Sequence, residues 1–313
     1  MPVFVTKPRI IPVRPVFSEA FRYSYKKEVI KVIVVKTIKE VRETVKQWRK
    51  EGLTVGFVPT MGYLHEGYQS LIKAADKGND RVVVSIFLNP MQFGPTEDLA
   101  TYPRDLERDK AKCLEAGADL IFAPEPEEMY KDNFQSFVDM HLLTEELCGL
   151  TRPVHFRGVC TVVTKLFNIV KPDRAYFGKK DAQQLAVIKR MVTDLNMDIE
   201  IIGCPIVRED DGLAKSSRNT YLNAEERKAA LVLSKAVRKA EELIKSGVRN
   251  SADIISQMTD IVTAEPLAKI DYIKIVSLDT MQQITEFTDS ALVAMAVYIG
   301  KTRLIDNYFY EGE

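Results

Sequence analysis

Net charge is what this sequence most plainly lacks: 44 Lys and Arg are matched by 44 Asp and Glu over 313 residues. That balance removes the electrostatic footprint of nonspecific nucleic-acid binding and suits a small anionic ligand better. Cysteine is scarce. Cys113, Cys148, Cys160 and Cys204 lie far apart and form no C-x-x-C pair, which argues against a zinc site or a disulfide framework and for buried thiols in a reducing cytosol. Only three histidines occur, His65, His141 and His155, too scattered for a dedicated metal site, so no protein metal ligands are expected. No apolar run approaches the ~20 residues that span a bilayer, and no internal repeat or low-complexity tract is present. The expectation is a cytoplasmic chain with neither membrane nor nucleic acid as partner.

The first thirty residues mix prolines, aromatics and basic residues without a helical or strand period. They read as an N-terminal extension with no packed role. From residue 31 onward, short β-branched runs alternate with amphipathic stretches. "LTVGFV" (53–58), "RVVVSIF" (81–87), "ADLIF" (118–122), "RAYF" (174–177) and "IEIIG" (199–203) are nearly all apolar, as strands buried on both faces of a parallel sheet must be. Helices should cover both faces. One spans 37–52, with Ile38, Val41, Val45 and Trp48 at helical spacing and Gly52 as its stop. After "CPIVRED" the rhythm changes. Asn223 and Glu226 form a capping-box pattern opening one long helix that ends before Gly247, another helix is expected near 251–263, and "KIDYIKIVSL" and "ALVAMAVYIG" supply two strands. The fold expected is α/β, a Rossmann-like parallel-sheet domain over 31–206 followed by a smaller C-terminal α+β lid domain over 207–313.

Three polar clusters stand at predicted strand ends. In "PTMGYLHEGYQSL" (59–71), His65 and free backbone N–H groups fall at a helix N-terminus, an anion-binding position, with Gly62 and Gly67 permitting close approach. In "FGKKDAQQL" (177–185), Lys179 and Lys180 can neutralise phosphate, Asp181 can accept from ribose hydroxyls, and Gln183 and Gln184 can bracket a polar substrate. In "REDDGLAKSSRN" (208–219), Lys215, Ser216, Ser217 and Arg218 place four phosphate-competent donors on one loop.

Taken together, "VPTMGYLHEG", "SIFLNPMQFGPTEDLATYPR", "RPVHFRGVCTVVTKLFNIVKPDRAYFGKKDAQQL" and "PIVREDDGLAKSSRNTYL" resemble the pantoate–β-alanine ligases of the HIGH-motif nucleotidyltransferase superfamily, from about residue 31 to the C-terminus. The resemblance implies two half-reactions: pantoate attacks the α-phosphorus of ATP to give pantoyl adenylate and pyrophosphate, and β-alanine then displaces AMP. It also implies a homodimer, and magnesium (Mg2+) arriving with ATP. It assigns His65, Lys180, Ser216, Ser217 and Arg218 to phosphate binding and catalysis. Gly178 and Asp181 match adenosine contacts, and Met61, Val207 and Lys215 join the nucleotide site. Met61, Gln92 and Gln184 match the pantoate pocket; Asn89 in the same "NPMQF" turn is a further candidate for pantoate or the incoming amine. His155 and Arg157 precede a helix that Gly158 is expected to open, and either could face the pocket or satisfy the loop. His141 matches no motif position.

One position departs from the pattern. The family motif carries a second histidine where this chain has Tyr68, which keeps one O–H donor but stays uncharged at neutral pH. The site is therefore expected to be assembled but slowed. Three alternatives are an impaired ATP- and pantoate-binding homologue, another nucleotidyltransferase of the superfamily, and a tRNA-charging enzyme. Gln92 and Gln184, suited to an uncharged polyol end, argue against the second, and the neutral charge argues against the third.

Overall fold

Thr37 closes a capping box with Glu40: its hydroxyl accepts the Glu40 amide at 3.3 Å, and the Glu40 carboxylate accepts the Thr37 amide at 3.0 Å. This fixes the start of α1 (Ile38–Lys50), whose Val41, Val45 and Trp48 are buried, as the helical spacing predicts. The structure, a computed structural model of the chain, describes residues 32–312. The stretch read as an N-terminal extension, residues 1–30, lies outside the described residues.

Six parallel strands form the main sheet: β1 (Ile33–Val35), β2 (Val55–Thr60), β3 (Arg81–Ile86), β4 (Leu120–Phe122), β5 (Arg174–Gly178) and β6 (Glu200–Cys204), in the order β1-β4-β3-β2-β5-β6. Five of them are the runs picked out by apolar composition. The edge strand β1, three residues long, is too short to announce itself. Successive residues point to opposite faces. Phe57 packs with Val41, Trp48, α4 (His155–Val170) and α5 (Ala182–Asp194) on one side, and Val58 with Leu71, Ile72 and Cys113 of α2 (Glu66–Gly78) and α3 (Leu106–Ala116) on the other. Helices thus cover both faces, as expected.

The chain steps from β2 through β3 to β4, then returns to place β5 on the far side of β2. Strand order reverses between β2 and β5, which is where such sheets open a crevice beyond their carboxyl ends. The two strands pair only at Gly56 and Phe57. Beyond Phe57 one side of β2 has no ladder, which is why Pro59, lacking an N–H, is accommodated in an otherwise central strand.

The C-terminal part is an antiparallel sheet, β7 (Ala268–Val276), β8 (Ala291–Ile299) and β9 (Thr302–Tyr310), in that order. One face packs on α6 (Leu231–Lys245) and α7 (Ser251–Thr263), while Tyr272, Val276, Leu292, Ala294 and Ala296 on the other join the core of the parallel sheet. Strand β9 had no sequence signal, because "TRLIDNYFY" interrupts its apolar alternation with Arg303, Asp306 and Asn307. Asn223 does close its capping box with Glu226, but the helix it opens ends at Ala229. The single long helix expected from the sequence is two, tightened at Ala230, where the Leu233 amide reaches back only three residues at 3.2 Å. No proline or glycine marks that break.

Candidate active site

Beyond β2 the chain turns sharply, with Gly62 at φ +88° and Tyr63 at φ +52°. The Tyr63 strain is supported from outside the turn. The buried carboxylate of Asp109 on α3 accepts the Tyr63 amide at 2.8 Å and the Leu64 amide at 2.6 Å, and burial raises its pKa. The turn delivers His65 as the N-cap of α2, where its Nδ1 accepts the Gly67 amide at 3.1 Å. Burial, then the nearby Lys180 ammonium, lowers the His65 pKa to about 4. The ring is therefore neutral at pH 7 and carries its proton on Nε2, a hydrogen-bond donor rather than a cation.

Two predictions follow from this geometry. A β-carbon at Gly67 would stand 2.7 Å from Cε1 and 2.8 Å from Nδ1 of His65, so Gly67→Ala must push the imidazole off its cap. Pyrophosphate release should fall at least ~10-fold, while the helix itself gains slightly from alanine. Equal rates in steady-state assay would show that the ring position is unimportant. The second concerns proton equilibria. His155 is also depressed, to about 3, chiefly by burial. In the folded chain the ring C–H resonances of His65 and His155 should not titrate between pH 7 and 5. Because both folded pKa values lie below the unfolded ~6.5, the unfolded chain binds more protons in the window below 6.5, and the contribution of both groups to stability is lost as pH falls toward 4. A midpoint near 6.5 for either ring would refute the buried neutral assignment.

The turn after β5 brings in the second cluster. Among the described residues the Lys180 ammonium, the Asp181 carboxylate and the Gln184 amide have no hydrogen-bond or ion-pair partner, and all three line the crevice. Gln183 is different: its Oε1 accepts the Cys148 amide at 2.9 Å and its Nε2 donates to Leu143 O at 2.8 Å and Glu146 O at 2.7 Å. It secures the 143–148 segment.

The third cluster lies on the hairpin closed by an Arg208–Ala214 bridge. Lys215 Nζ lies 3.0 Å from Glu66, and Arg218 makes a two-pronged contact with Asp98 at 2.8 and 2.9 Å. Ser216 Oγ accepts the Arg218 amide at 3.2 Å, and the Ser217 hydroxyl donates to Tyr63 O at 3.3 Å, tying the hairpin to the His65 turn. Asp98 was not singled out from the sequence, nor was Asp109.

On the opposite wall, Gln92 is buried, with Nε2 on Met61 Sδ at 3.1 Å and Oε1 accepting from Asn89 Nδ2 at 3.1 Å. A thioether is a weak acceptor, so this amide hydrogen is readily given to a ligand oxygen. Asn89 is engaged throughout: its Nδ2 also donates to Gly158 O at 3.1 Å, and its Oδ1 accepts from Tyr130 at 2.7 Å. His155 Nδ1 lies 3.0 Å from Gln92 O, satisfying the loop. Arg157 is exposed and stacks over Phe137 at 4.0 Å, away from the crevice. His141 is exposed outside any helix. The helix expected to open at Gly158 begins at His155 instead. Gly158 serves close packing, since a β-carbon there would strike the Met91 carbonyl.

Met61, His65, Asn89, Gln92, Gly178, Lys180, Asp181, Gln184, Val207, Lys215, Ser216, Ser217 and Arg218 all line one cavity of about 170 Å³. A larger cavity of about 840 Å³, reaching toward β8 and β9, shares Lys180, Asp181, Gln184, Ser216 and Arg218 with it. Tyr68 lines the smaller one, its ring 4.6 Å from that of His65 and tilted by 35°. Burial and the adjacent Tyr102 hydroxyl hold its pKa far above the ordinary value, so the phenol stays neutral. Among the described residues no group of three His, Cys, Asp or Glu side chains is placed to hold a metal ion.

A doubly wound parallel sheet with cationic and hydroxyl donors gathered at its switch point defines an α/β protein built to hold a phosphorylated ligand. The chain belongs to the pantoate-beta-alanine ligase family, whose model matches residues 33–309. It is 64% identical over 276 residues to the pantothenate synthetase of Ruminiclostridium cellulolyticum, covering 88% of this chain and 98% of that one. It is 59% identical over 280 residues to that of Enterococcus faecalis, covering 90% and 99%. Among solved structures, pantothenate synthetase from Thermus thermophilus superposes with a TM-score of 0.85 at 45% identity, covering 90% of this chain and all (100%) of that one. The Francisella tularensis pantoate-beta-alanine ligase, complexed with beta-gamma ATP and beta-alanine, gives 0.75 at 34% identity, covering 90% and 99%.

Proposed function

We propose that this chain condenses pantoate with β-alanine at the expense of ATP, through pantoyl adenylate. The observation that carries the reading is the convergence of Lys180, Lys215, Arg218, Ser216, Ser217 and the Nε2–H of His65 on one cavity that Gln92 and Gln184 also line. Neither half-reaction needs a covalent enzyme nucleophile. In the first, a pantoate carboxylate oxygen attacks the α-phosphorus and the bond to pyrophosphate breaks, so negative charge grows on the phosphate oxygens facing those donors. In the second, the β-alanine amine attacks the acyl carbon, loses a proton and expels AMP. Gln92 and Gln184 orient pantoate without repelling its carboxylate, and Gly178, Asp181 and Val207 take the nucleoside. Asn89, already saturated, sets the Gln92 amide.

Magnesium fits this site as a companion of the nucleotide. The described residues gather no cluster of three metal-binding side chains, so phosphate oxygens would supply most of its ligands, and it would serve to neutralise phosphate charge. Residues 207–313 act in this reading as a lid whose hairpin carries Lys215 to Arg218 onto the phosphates and excludes water from the adenylate. We place the protein in the cytoplasm as a homodimer. Its four cysteines, all free, fit a reducing compartment, and light scattering tests the dimer.

The test is a coupled assay with pantoate, β-alanine and Mg·ATP. AMP and pantothenate should form in equal amounts, with pyrophosphate release requiring pantoate as well as ATP. ADP as product, or AMP formed without pantoate, would contradict the reading.

A further inference from the structure

Lys180 poses a physical problem. Its ammonium has no hydrogen-bond or ion-pair partner among the described residues, so no such contact holds the head group and its backbone sets the direction in which the side chain leaves. That backbone is held from strand β9. The two N–H groups of the Asn307 amide donate to Lys179 O at 3.1 Å and to Lys180 O at 2.7 Å. These carbonyls belong to the two peptide planes that flank the Lys180 Cα, and fixing both planes fixes the direction of its Cβ. Asn307 is 4% exposed, and its buried Oδ1 has no hydrogen-bond partner among the described residues. A side chain kept there despite an orphaned oxygen is kept for its donors. The same turn has a second tie to β9, because Lys179 Nζ lies 3.0 Å from Glu311 and 4.9 Å above the Phe309 ring.

The preceding residue of β9 holds the other cationic loop. Asp306 is 2% exposed, and its carboxylate receives Arg208 Nη1 at 2.7 Å and Nη2 at 2.9 Å. Arg208 also donates to Gly212 O at 3.1 Å, and the Lys215 amide donates to Val207 O at 2.9 Å, so this pair anchors the base of the hairpin that carries Lys215 to Arg218. Neighbouring residues of a strand point to opposite faces with Cα atoms ~3.8 Å apart. Two loops that meet a ligand from different directions are therefore gauged against one short piece of strand.

We infer that Asp306 and Asn307 are a positioning clamp, which sets the aim of Lys180 and its spacing from the Lys215–Arg218 hairpin. The inference rests on the proposed reading for what the cations do, but the clamp itself is a statement about the protein alone. Neither residue touches the reacting atoms. The geometry assigns them to the site through the residues they hold.

The test is hydrogen–deuterium exchange on the full chain, comparing the parent with Asn307→Asp, which keeps the shape of the side chain and removes both donors. Amides of 178–183 should exchange at least ~10-fold faster, with those of α6 and β8 unchanged. In the same variant kcat for pyrophosphate release should fall at least ~10-fold, as displacement of a positioned group does, with KM for pantoate within about twofold. Unchanged exchange at 178–183 would overturn the clamp, and so would a rise shared equally by α6 and β8, which would mark a merely structural role. Should Asn307→Asp fail to fold, Arg208→Lys keeps a cation opposite Asp306 but loses the two-pronged contact, and should raise exchange in 213–219 about threefold; no rise there would overturn the clamp. Absence of pyrophosphate release in the parent would count against the function proposed, whereas the exchange result decides the clamp by itself.

Discussion

Replacing Lys180 with alanine should slow pyrophosphate release by about 10³-fold, the upper end of what one preorganised donor contributes in a water-excluded site. The isolation of the ammonium is what makes the effect so large. Lys215 and Arg218 each face a carboxylate, Glu66 and Asp98, whereas Lys180 has no partner among the described residues and is the cation that bears most on His65. A phosphate entering the cavity meets Lys180 with no ion pair to break. For the same reason its removal leaves no orphaned carboxylate, and the thermal midpoint should stay within about 2 °C. Lys180→Arg, which keeps the charge but not the compact head, should recover part of the rate. A loss under about tenfold for Lys180→Ala would place the charge elsewhere.

The second large effect runs in the opposite direction. Tyr68→His should raise kcat for adenylate formation by about 10²-fold. Tyr68 lies tilted on the His65 ring, and its hydroxyl is engaged with that of Tyr102, over which Arg218 stacks at 5.9 Å. A phenol drawn toward Tyr102 is poorly placed to donate to a phosphate. An imidazole at this position removes that engagement and restores a donor whose contact strengthens as charge develops, so kcat should move more than KM for ATP. Stopped-flow measurement of pyrophosphate release separates the two. An unchanged rate would mean that the tyrosine hydroxyl is already a competent donor.

What could be read in advance, and what could not, divides along physical lines. β2, β3 and β5 announce themselves through runs such as "RVVVS", because a strand buried on both faces carries few polar residues to confuse the period. The turns carrying His65, Lys180 and Ser216 are legible because strand end, glycine and donor are adjacent in sequence. Asp109 and Asp98 are not legible. Asp109 looks like one more charge on an amphipathic helix, yet it closes the turn before His65 from 45 positions downstream, and nothing local records so distant a partner. Strand β9 is illegible for a related reason: its Asp306 and Asn307, which hold Arg208 and the Lys179 and Lys180 carbonyls, break the apolar alternation. The division at Ala230 has no residue signal at all, and the start of α4 at His155 is hidden because Gly158, a packing residue, has the look of a helix boundary.

The central claim is that a carboxylate of the first substrate attacks the α-phosphorus at this cavity. The most direct measurement is isotopic: supply pantoate with its carboxylate labelled with heavy oxygen, add Mg·ATP and β-alanine, and weigh the products by mass spectrometry. The account predicts that each AMP formed carries one heavy oxygen from pantoate, because the bridging oxygen of the adenylate leaves with phosphorus when the amine attacks carbon. Heavy oxygen found only in pantothenate, or in inorganic phosphate alongside ADP, would contradict it.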